Sequence, residues 1–331
     1  MPPSIRRATP TDLPEMADLL IRDAEQRRPL EPSLWPLAAD ARARIESVVG
    51  AGLDGSNASA RELWHVAEAS GRIVGITHAM VVPVPPIYGV PAPPGLFLDD
   101  CFAAADAPPG TAEALLVETE AALRAAGASG LIASCPAAGP WRPLYERRGY
   151  EPVTLYMAKH GFSVHAPPPS VRPARPEDVP GIVNLSADHR KTLSELNRRF
   201  WPTHPEANSR FEAWMRYSLT LTDRDMFVAG APGEVHGYII AQPISPLLVP
   251  AAHDIRAVGV VDDFYDKDFA NFSVASNGGA TAGNLLSAAE SAFARRAFAA
   301  VLAVCPAAWT SKVSVLERKG YRSAKLWMLK R

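Results

Sequence analysis

The run Leu98-Asp99-Asp100-Cys101-Phe102-Ala103, followed closely by Ala107-Pro108-Pro109-Gly110-Thr111-Ala112, is where this chain concentrates its possible chemistry. A strand, a loop of small residues and a helix N-terminus in that order leave backbone N–H groups without intrahelical partners. Together with the helix dipole they suit a diphosphate, and Gly110 and Ala112 let a ligand come close to the backbone. A plain strand-to-helix turn reads the same way. The segment is no Walker loop, since no Gly-Lys-Ser/Thr follows, and it lacks the G-x-G-x-x-G of a dinucleotide turn. Asp99 and Asp100 hold successive strand positions, so their side chains point to opposite faces. Trp35 and Trp201 read as core residues, His65 and His78 as isolated strand histidines, and Cys135 and Cys305 as packing thiols. Three cysteines and eight histidines form no C-x-x-C or H-x-x-x-H pair, so no metal site is expected.

The elements that must position these residues occur twice. Ile5-Arg6-Arg7-Ala8-Thr9-Pro10-Thr11-Asp12-Leu13-Pro14 matches Val171-Arg172-Pro173-Ala174-Arg175-Pro176-Glu177-Asp178-Val179-Pro180. Trp35-Pro36 matches Trp201-Pro202, Ile73-Val74-Gly75 matches Val235-His236-Gly237, and Leu98-Asp99-Asp100 matches Val261-Asp262-Asp263. Cys135-Pro136-Ala137-Ala138 returns as Cys305-Pro306-Ala307-Ala308, and Glu146-Arg147-Arg148-Gly149-Tyr150 as Glu317-Arg318-Lys319-Gly320-Tyr321. Order is preserved throughout, so one domain is written twice. Residues 161–170, which include Ala166-Pro167-Pro168-Pro169, read as a stiff linker between domains at 1–160 and 171–331.

In the first copy a strand at Ile5–Ala8 precedes a helix capped by Thr11 or Asp12, with Leu13, Met16, Leu19 and Leu20 at helical spacing. Leu63–Glu68 and Arg72–Val82 alternate across Ser70-Gly71, a hairpin signal. A proline-rich connection follows. Leu96–Phe102 is the next strand, Gly110 opens a helix, Gly130–Ser134 is a buried strand, Pro143–Arg148 a short helix and Glu151–Ala158 a closing strand. The expected fold class is α+β: two layered domains, each a central mixed, largely antiparallel sheet with helices on both faces.

Composition supports a globular, two-domain protein. The apolar fraction is 47%, and 34 basic against 35 acidic residues leave no broad nucleic-acid-binding face. Met1-Pro2-Pro3 leads into Arg6-Arg7 with no apolar run behind it, so neither a signal peptide nor a membrane span is expected. Sparse, odd-numbered cysteines suit a reducing compartment, and a cytoplasmic protein is the expectation.

The ordered pieces resemble the GNAT superfamily, the acyl-CoA-dependent N-acetyltransferases, twice in tandem. The resemblance rests on the opening strand and helix, the Asp99-Asp100 strand, the Gly110-x-Ala112 turn, and Leu144-Tyr145-Glu146-Arg147-Arg148-Gly149-Tyr150, which is similar to the family's F-Y-x-x-x-G-F stretch. It implies an acyl-CoA in a splay between the strands ending near Ala103 and Cys135. Cys101, Phe102 and Ala103 would bond the pantetheine arm, and Gly110, Thr111, Ala112 and Glu113 would cradle the diphosphate. Two departures stand out: Ala107 replaces the usual basic residue or glutamine, and Pro108-Pro109 removes two donors. Tyr145 matches the family's tyrosine near the CoA sulfur, where a hydroxyl protonates the departing thiolate. Asp99 resembles the first acid of the Leu-Glu-Asp strand of diamine-acetylating members, which helps deprotonate the ammonium.

The implied function is acetyl transfer from acetyl-CoA, with no metal, to a small amine, without nucleic-acid or membrane partners, by a monomer or homodimer. In the second copy Leu316 stands in place of Tyr145. Setting Leu285-Leu286 on Leu115-Leu116 puts Ala280 in place of Gly110, behind a loop seven residues longer that contains Asn277-Gly278-Gly279. Catalysis is therefore expected in the first domain. A non-catalytic acyl-CoA-binding or scaffold protein, and catalysis in the second domain, are the alternatives.

Overall fold

The computed structural model describes residues 2–54 and 61–330. The Arg-to-Asp spacing in both copies of the opening motif has a local cause. Arg6 donates two hydrogen bonds to Asp12 at 2.7 and 2.8 Å, and Asp12 accepts the Thr9 N–H at 2.7 Å. Arg172 holds Asp178 through two bonds at 2.7 Å, with the Arg175 N–H at 2.9 Å. A bidentate guanidinium–carboxylate pair thus ties each first strand to the start of its helix. Asp12 works by reaching back to the strand, not by capping the helix with its side chain.

The first half runs β1 (Ser4–Arg7), α1 (Leu13–Arg27), α2 (Ala41–Leu53), β2 (Arg61–Ala69), β3 (Arg72–Val81), β4 (Gly95–Phe97) and β5 (Phe102–Ala103). It continues with α3 (Thr111–Ala125), β6 (Leu131–Pro136), α4 (Arg142–Arg147) and β7 (Tyr150–His160). The second half repeats the order: β8 (Val171–Pro173), α5 (Val179–Leu196), α6 (Ala207–Ser218), β9 (Asp225–Ala229), β10 (Gly237–Pro243), β11 (Val258–Val261) and β12 (Phe264–Asp266). Then come α7 (Ala280–Arg295), β13 (Ala300–Pro306), α8 (Thr310–Arg318) and β14 (Arg322–Lys330). The hairpin turn at Ser70-Gly71 forms with φ of 53° and 73°, the positive values a tight two-residue connection needs.

One 14-stranded sheet runs through both halves in the order β1-β2-β3-β4-β6-β14-β7-β13-β11-β10-β9-β8, with β5 on β3 and β12 on β10. The last strands are exchanged. β14 of the second half lies beside β6 of the first, with Leu326 opposite Cys135, and β7 lies beside β13, with Leu155 opposite Cys305. Each half therefore borrows the strand that completes its sheet.

Alternation along β2 assigns the two faces. Leu63 and Ala67 join Leu115, Leu116 and Leu123 of α3 in one buried cluster. Trp64 and Val66 join Met16, Leu20, Ile45 and Val49 of α1 and α2 in another. Fully burying each such leucine or isoleucine stabilises by about 1.5–3 kcal/mol. Close approach of α3 to the sheet requires Gly75, where a Cβ would sit 2.9 Å from Leu115 Cδ1. Gly237 faces Leu285 at the same 2.9 Å in the second half. Among the described residues no helix is long and apolar enough to cross a membrane, and no group of three or more potential metal ligands occurs.

Candidate functional site

The Asp99-Asp100 strand is not continuous as expected; it breaks between Phe97 and Phe102. β4 runs parallel to β6 from Gly95↔Leu131 to Phe97↔Ala133. Beyond this point β5 stays on β3, while β6 follows β14 to Pro136, so the two strands part and leave a gap. Register decides which backbone groups face it. The Ala104 N–H donates to the Val74 carbonyl at 2.9 Å, which makes Gly75–Ala103 a non-bonded pair and Ile76–Phe102 the bonded one. Cys101 and Ala103 thus turn their backbone groups into the gap. Phe102 does not: its N–H and C=O belong to β3, and its buried ring packs with the α1–α2 cluster.

At the start of α3, Gly110 is left-handed at φ 83°, which a side chain would disfavour. Ala114 N–H closes the first helical bond onto the Gly110 carbonyl. Thr111 is not available as a donor, because its N–H and hydroxyl both go to the Pro108 carbonyl, at 3.2 and 2.6 Å. The N–H groups of Ala112 and Glu113 have no acceptor among the described residues. These donors and the Gly110 turn form the free helix end, although the Glu113 carboxylate on the same turn works against an anion.

Tyr145 on α4 is 0% exposed, and its hydroxyl has no hydrogen-bond partner among the described residues. It lies near the thiols of Cys101 and Cys135, and burial holds it well above the usual phenol range. The hydroxyl therefore stays protonated and available to donate. Leu316, its counterpart, is equally buried and has nothing to donate.

Asp99 is fully buried, and Lys325 Nζ of β14 stands 2.7 Å from its Oδ2 as an ion pair without hydrogen-bond alignment. The same Nζ donates to the Leu248 carbonyl at 2.5 Å. Burial pushes the Lys325 ammonium below the ordinary lysine value against the pull of Asp99. Asp100 takes a different partner, His78 Nδ1 at 2.9 Å, and His78 stacks on Trp64 with ring centroids 3.7 Å apart. His78 is not an isolated strand histidine. Burial would lower it, but Asp100 and Glu62 outweigh that and hold it at about 9. His65 bonds Thr119 at 3.1 Å, and burial lowers it to about 4.

Sequence reasoning missed Lys325. Its only local signal is a lone lysine ahead of Leu326-Trp327-Met328-Leu329; its partner is 226 residues away, in the other half. It also missed Asp23 and Arg27 of α1. Arg27 Nη2 donates to Asp23 Oδ2 and to the Asp99 carbonyl, both at 2.5 Å. Asp23 and Asp100 share the wall of a small cavity with Leu20, Val49 and Ala252.

The second half fills the equivalent gap with its own side chains. Lys312 of α8 is 1% exposed and donates to the Phe264 carbonyl at 2.6 Å, the position matching Cys101. Its Nζ lies 5.1 Å from the Phe264 ring centre and 5.4 Å from that of Trp309. At the start of α7 the Thr281 N–H donates to the buried Asp268 carboxylate at 3.1 Å. The residue matching Gly110 is Gly279, left-handed at φ 73°, and not Ala280, which is already helical.

Two solved structures show what this architecture is. The chain is similar to "Tandem GNAT protein from the clavulanic acid biosynthesis pathway (without AcCoA)" at TM-score 0.53 and 15% identity, over 99% of this chain and 97% of that one. It is also similar to a GCN5-related N-acetyltransferase from Sphaerobacter thermophilus at TM-score 0.56 and 15% identity, over 99% and 95%. No family model matches the chain, and no curated protein does. The fold is that of a tandem GNAT protein.

Proposed function

We propose that the chain is an acyl-CoA-dependent N-acetyltransferase whose reaction occurs in the first half, with acetyl-CoA as co-substrate and a small amine as acceptor. The observation that carries this reading is the buried Tyr145 hydroxyl, which faces the Cys101 thiol but makes no well-aligned hydrogen bond, beside a strand edge whose backbone groups at Cys101 and Ala103 turn away from β3. A buried hydroxyl with only a thiol beside it is poorly satisfied, and a stronger acceptor from outside the chain would complete it.

The residues fit the co-substrate. Cys101 and Ala103 would take the amide groups of the pantetheine arm, and Gly110, Ala112 and Glu113 would hold the diphosphate through backbone N–H groups. Acetyl-CoA supplies an activated acetyl group as its thioester. Tyr145 would protonate the sulfur as the C–S bond breaks, and its raised pKa keeps the proton in place until then. Asp99 lies 2.7 Å from the Lys325 ammonium, so its carboxylate already faces one cation. It serves as an electrostatic anchor for the ammonium; water or Asp23 can accept the proton.

Lys312 and Asp268 occupy, in the second half, the places that pantetheine and diphosphate would take. Their presence supports a second half that binds no acyl-CoA. Calorimetric titration with acetyl-CoA tests the reading: one site per chain is expected, and Tyr145→Phe should keep that site while turnover falls at least tenfold. No binding, or full turnover in Tyr145→Phe, would overturn it.

A further inference from the structure

The two halves meet at a buried polar cluster beside the gap. A loop of the first half, Glu31–Ala38, is pinned to one of the second: Ala38 N–H donates to the Ala252 carbonyl at 2.9 Å, and Asp254 N–H to the Pro36 carbonyl at 2.8 Å. Under this seam Trp35 is 0% exposed, with its indole N–H unpartnered. His253 packs against it at 5.4 Å between ring centres. The His253 nitrogens lie near the Trp35 and Pro36 carbonyls but are aligned to bond neither. Arg27 lies over the Trp35 ring at 5.6 Å, and its Nη1 has no partner while Nη2 holds Asp23 and the Asp99 carbonyl. Asp99 meets Lys325 but accepts no aligned hydrogen bond.

Donors and acceptors are thus left open on neighbouring, nine-tenths buried groups. On one side are the guanidinium Nη1 and the indole N–H; on the other is Oδ1 of the Asp99 carboxylate, whose Oδ2 faces Lys325. Native interiors rarely leave one such group unsatisfied, and a contiguous set asks for a polar guest. Its charges nearly balance: Arg27 and Lys325 are cationic, Asp99 and Asp23 acidic, with Asp100 already matched by His78. A dicationic amine would meet two buried cations there. A molecule with one ammonium and one carboxylate meets a partner for each.

We infer that this cluster is the acceptor end of the site and takes an amino-acid-like zwitterion, its ammonium toward Asp99 and its carboxylate toward Arg27 and the Trp35 indole. The inference rests on the acetyltransferase reading for its consequence, though not for its binding. Asp23, which holds Arg27, also lines a water-sized cavity with Asp100 and Ala252, so the cluster borders space on that side that would have to open to admit such a molecule.

The test uses the full chain and the common L-amino acids, each beside its decarboxylated amine. With acetyl-CoA, at least one amino acid should be acetylated with kcat/KM tenfold or more above its amine. Arg27→Lys, which keeps the charge but loses the fork, should cut that preference at least fivefold; Trp35→Phe, which removes the indole N–H, should cut it as well and serves as the second variant should the first fold poorly. Equal or better use of the decarboxylated amines would overturn the inference while leaving the acetyltransferase reading standing. If acetyl-CoA neither binds nor reacts, that reading fails, and thermal shift decides the cluster alone. An amino acid that raises Tm in the wild type and not in Arg27→Lys supports it, and no response to any of them overturns it.

Discussion

Lys325, on the last strand of the chain, places its ammonium 2.7 Å from the Asp99 carboxylate of the first half, and both side chains are 1% exposed. The candidate site is therefore not the property of one half. Because β14 is exchanged, the first half's acid is neutralised by the second half's lysine, and the pair is sealed from water.

Removing one partner of a buried pair leaves an uncompensated charge, which typically costs about 3–5 kcal/mol. Lys325→Met should lower the unfolding free energy by about that amount in a urea titration. Adding Asp99→Asn should recover much of the loss, since the stranded carboxylate is then gone. Single and double variants of equal stability would refute the coupling.

His78 gives a pH dependence of definite sign. Its folded value of about 9 lies above the ordinary 6.5, so its pairing with Asp100 stabilises fully below about 6.5 and fades as pH rises through 9. Unfolding free energy should fall by about 2–3 kcal/mol between pH 7 and pH 10 beyond any other alkaline loss. His78→Gln should flatten that decline. A wild type and variant with parallel pH profiles would show that His78 stays neutral when folded.

The strand-to-helix staple is best tested at its drier copy, where Asp178 has a fully buried side chain. Asp178→Ala removes two charge-assisted bonds from Arg172 and one from the Arg175 N–H, and hydrogen bonds to charged groups are worth about 1.5–3 kcal/mol each before compensation. We expect a net loss of about 2–4 kcal/mol at pH 7. Asp178 is held below the ordinary carboxylate value chiefly by Arg172. Its contribution is present above the unfolded value and lost as pH falls through the folded one, so the variant's deficit should shrink in strong acid.

Gly75→Ala probes the spacing between α3 and the sheet. The added methyl would lie 2.9 Å from Leu115 Cδ1 and 3.2 Å from the Phe102 carbonyl. Overpacking of this kind costs about 1–3 kcal/mol, and the displaced helix carries the Gly110–Glu113 turn with it. Acetyl-CoA affinity should weaken along with Tm. Unchanged affinity would separate that turn from the cofactor.

What this chain's sequence determined by itself is local. The repeated order of strands and helices, the positive-φ turn at Ser70-Gly71, the glycine at the start of α3 and the buried Tyr145 against Leu316 all follow from periodicity, turn chemistry and residue type. Backbone hydrogen bonding is blind to sequence, however. β7 and β14 carry equivalent apolar patterns, and nothing along the chain says which takes its own half's penultimate strand and which the other's. That choice sets Lys325 against Asp99, and it brings His253 to Trp35. Ladder register, another non-local quantity, turns Phe102 away while leaving Cys101 and Ala103 free. The filling of the second half's gap was likewise only half visible: Leu316 could be read from alignment, but Lys312 reaching the Phe264 carbonyl is a contact across 48 residues that only packing decides.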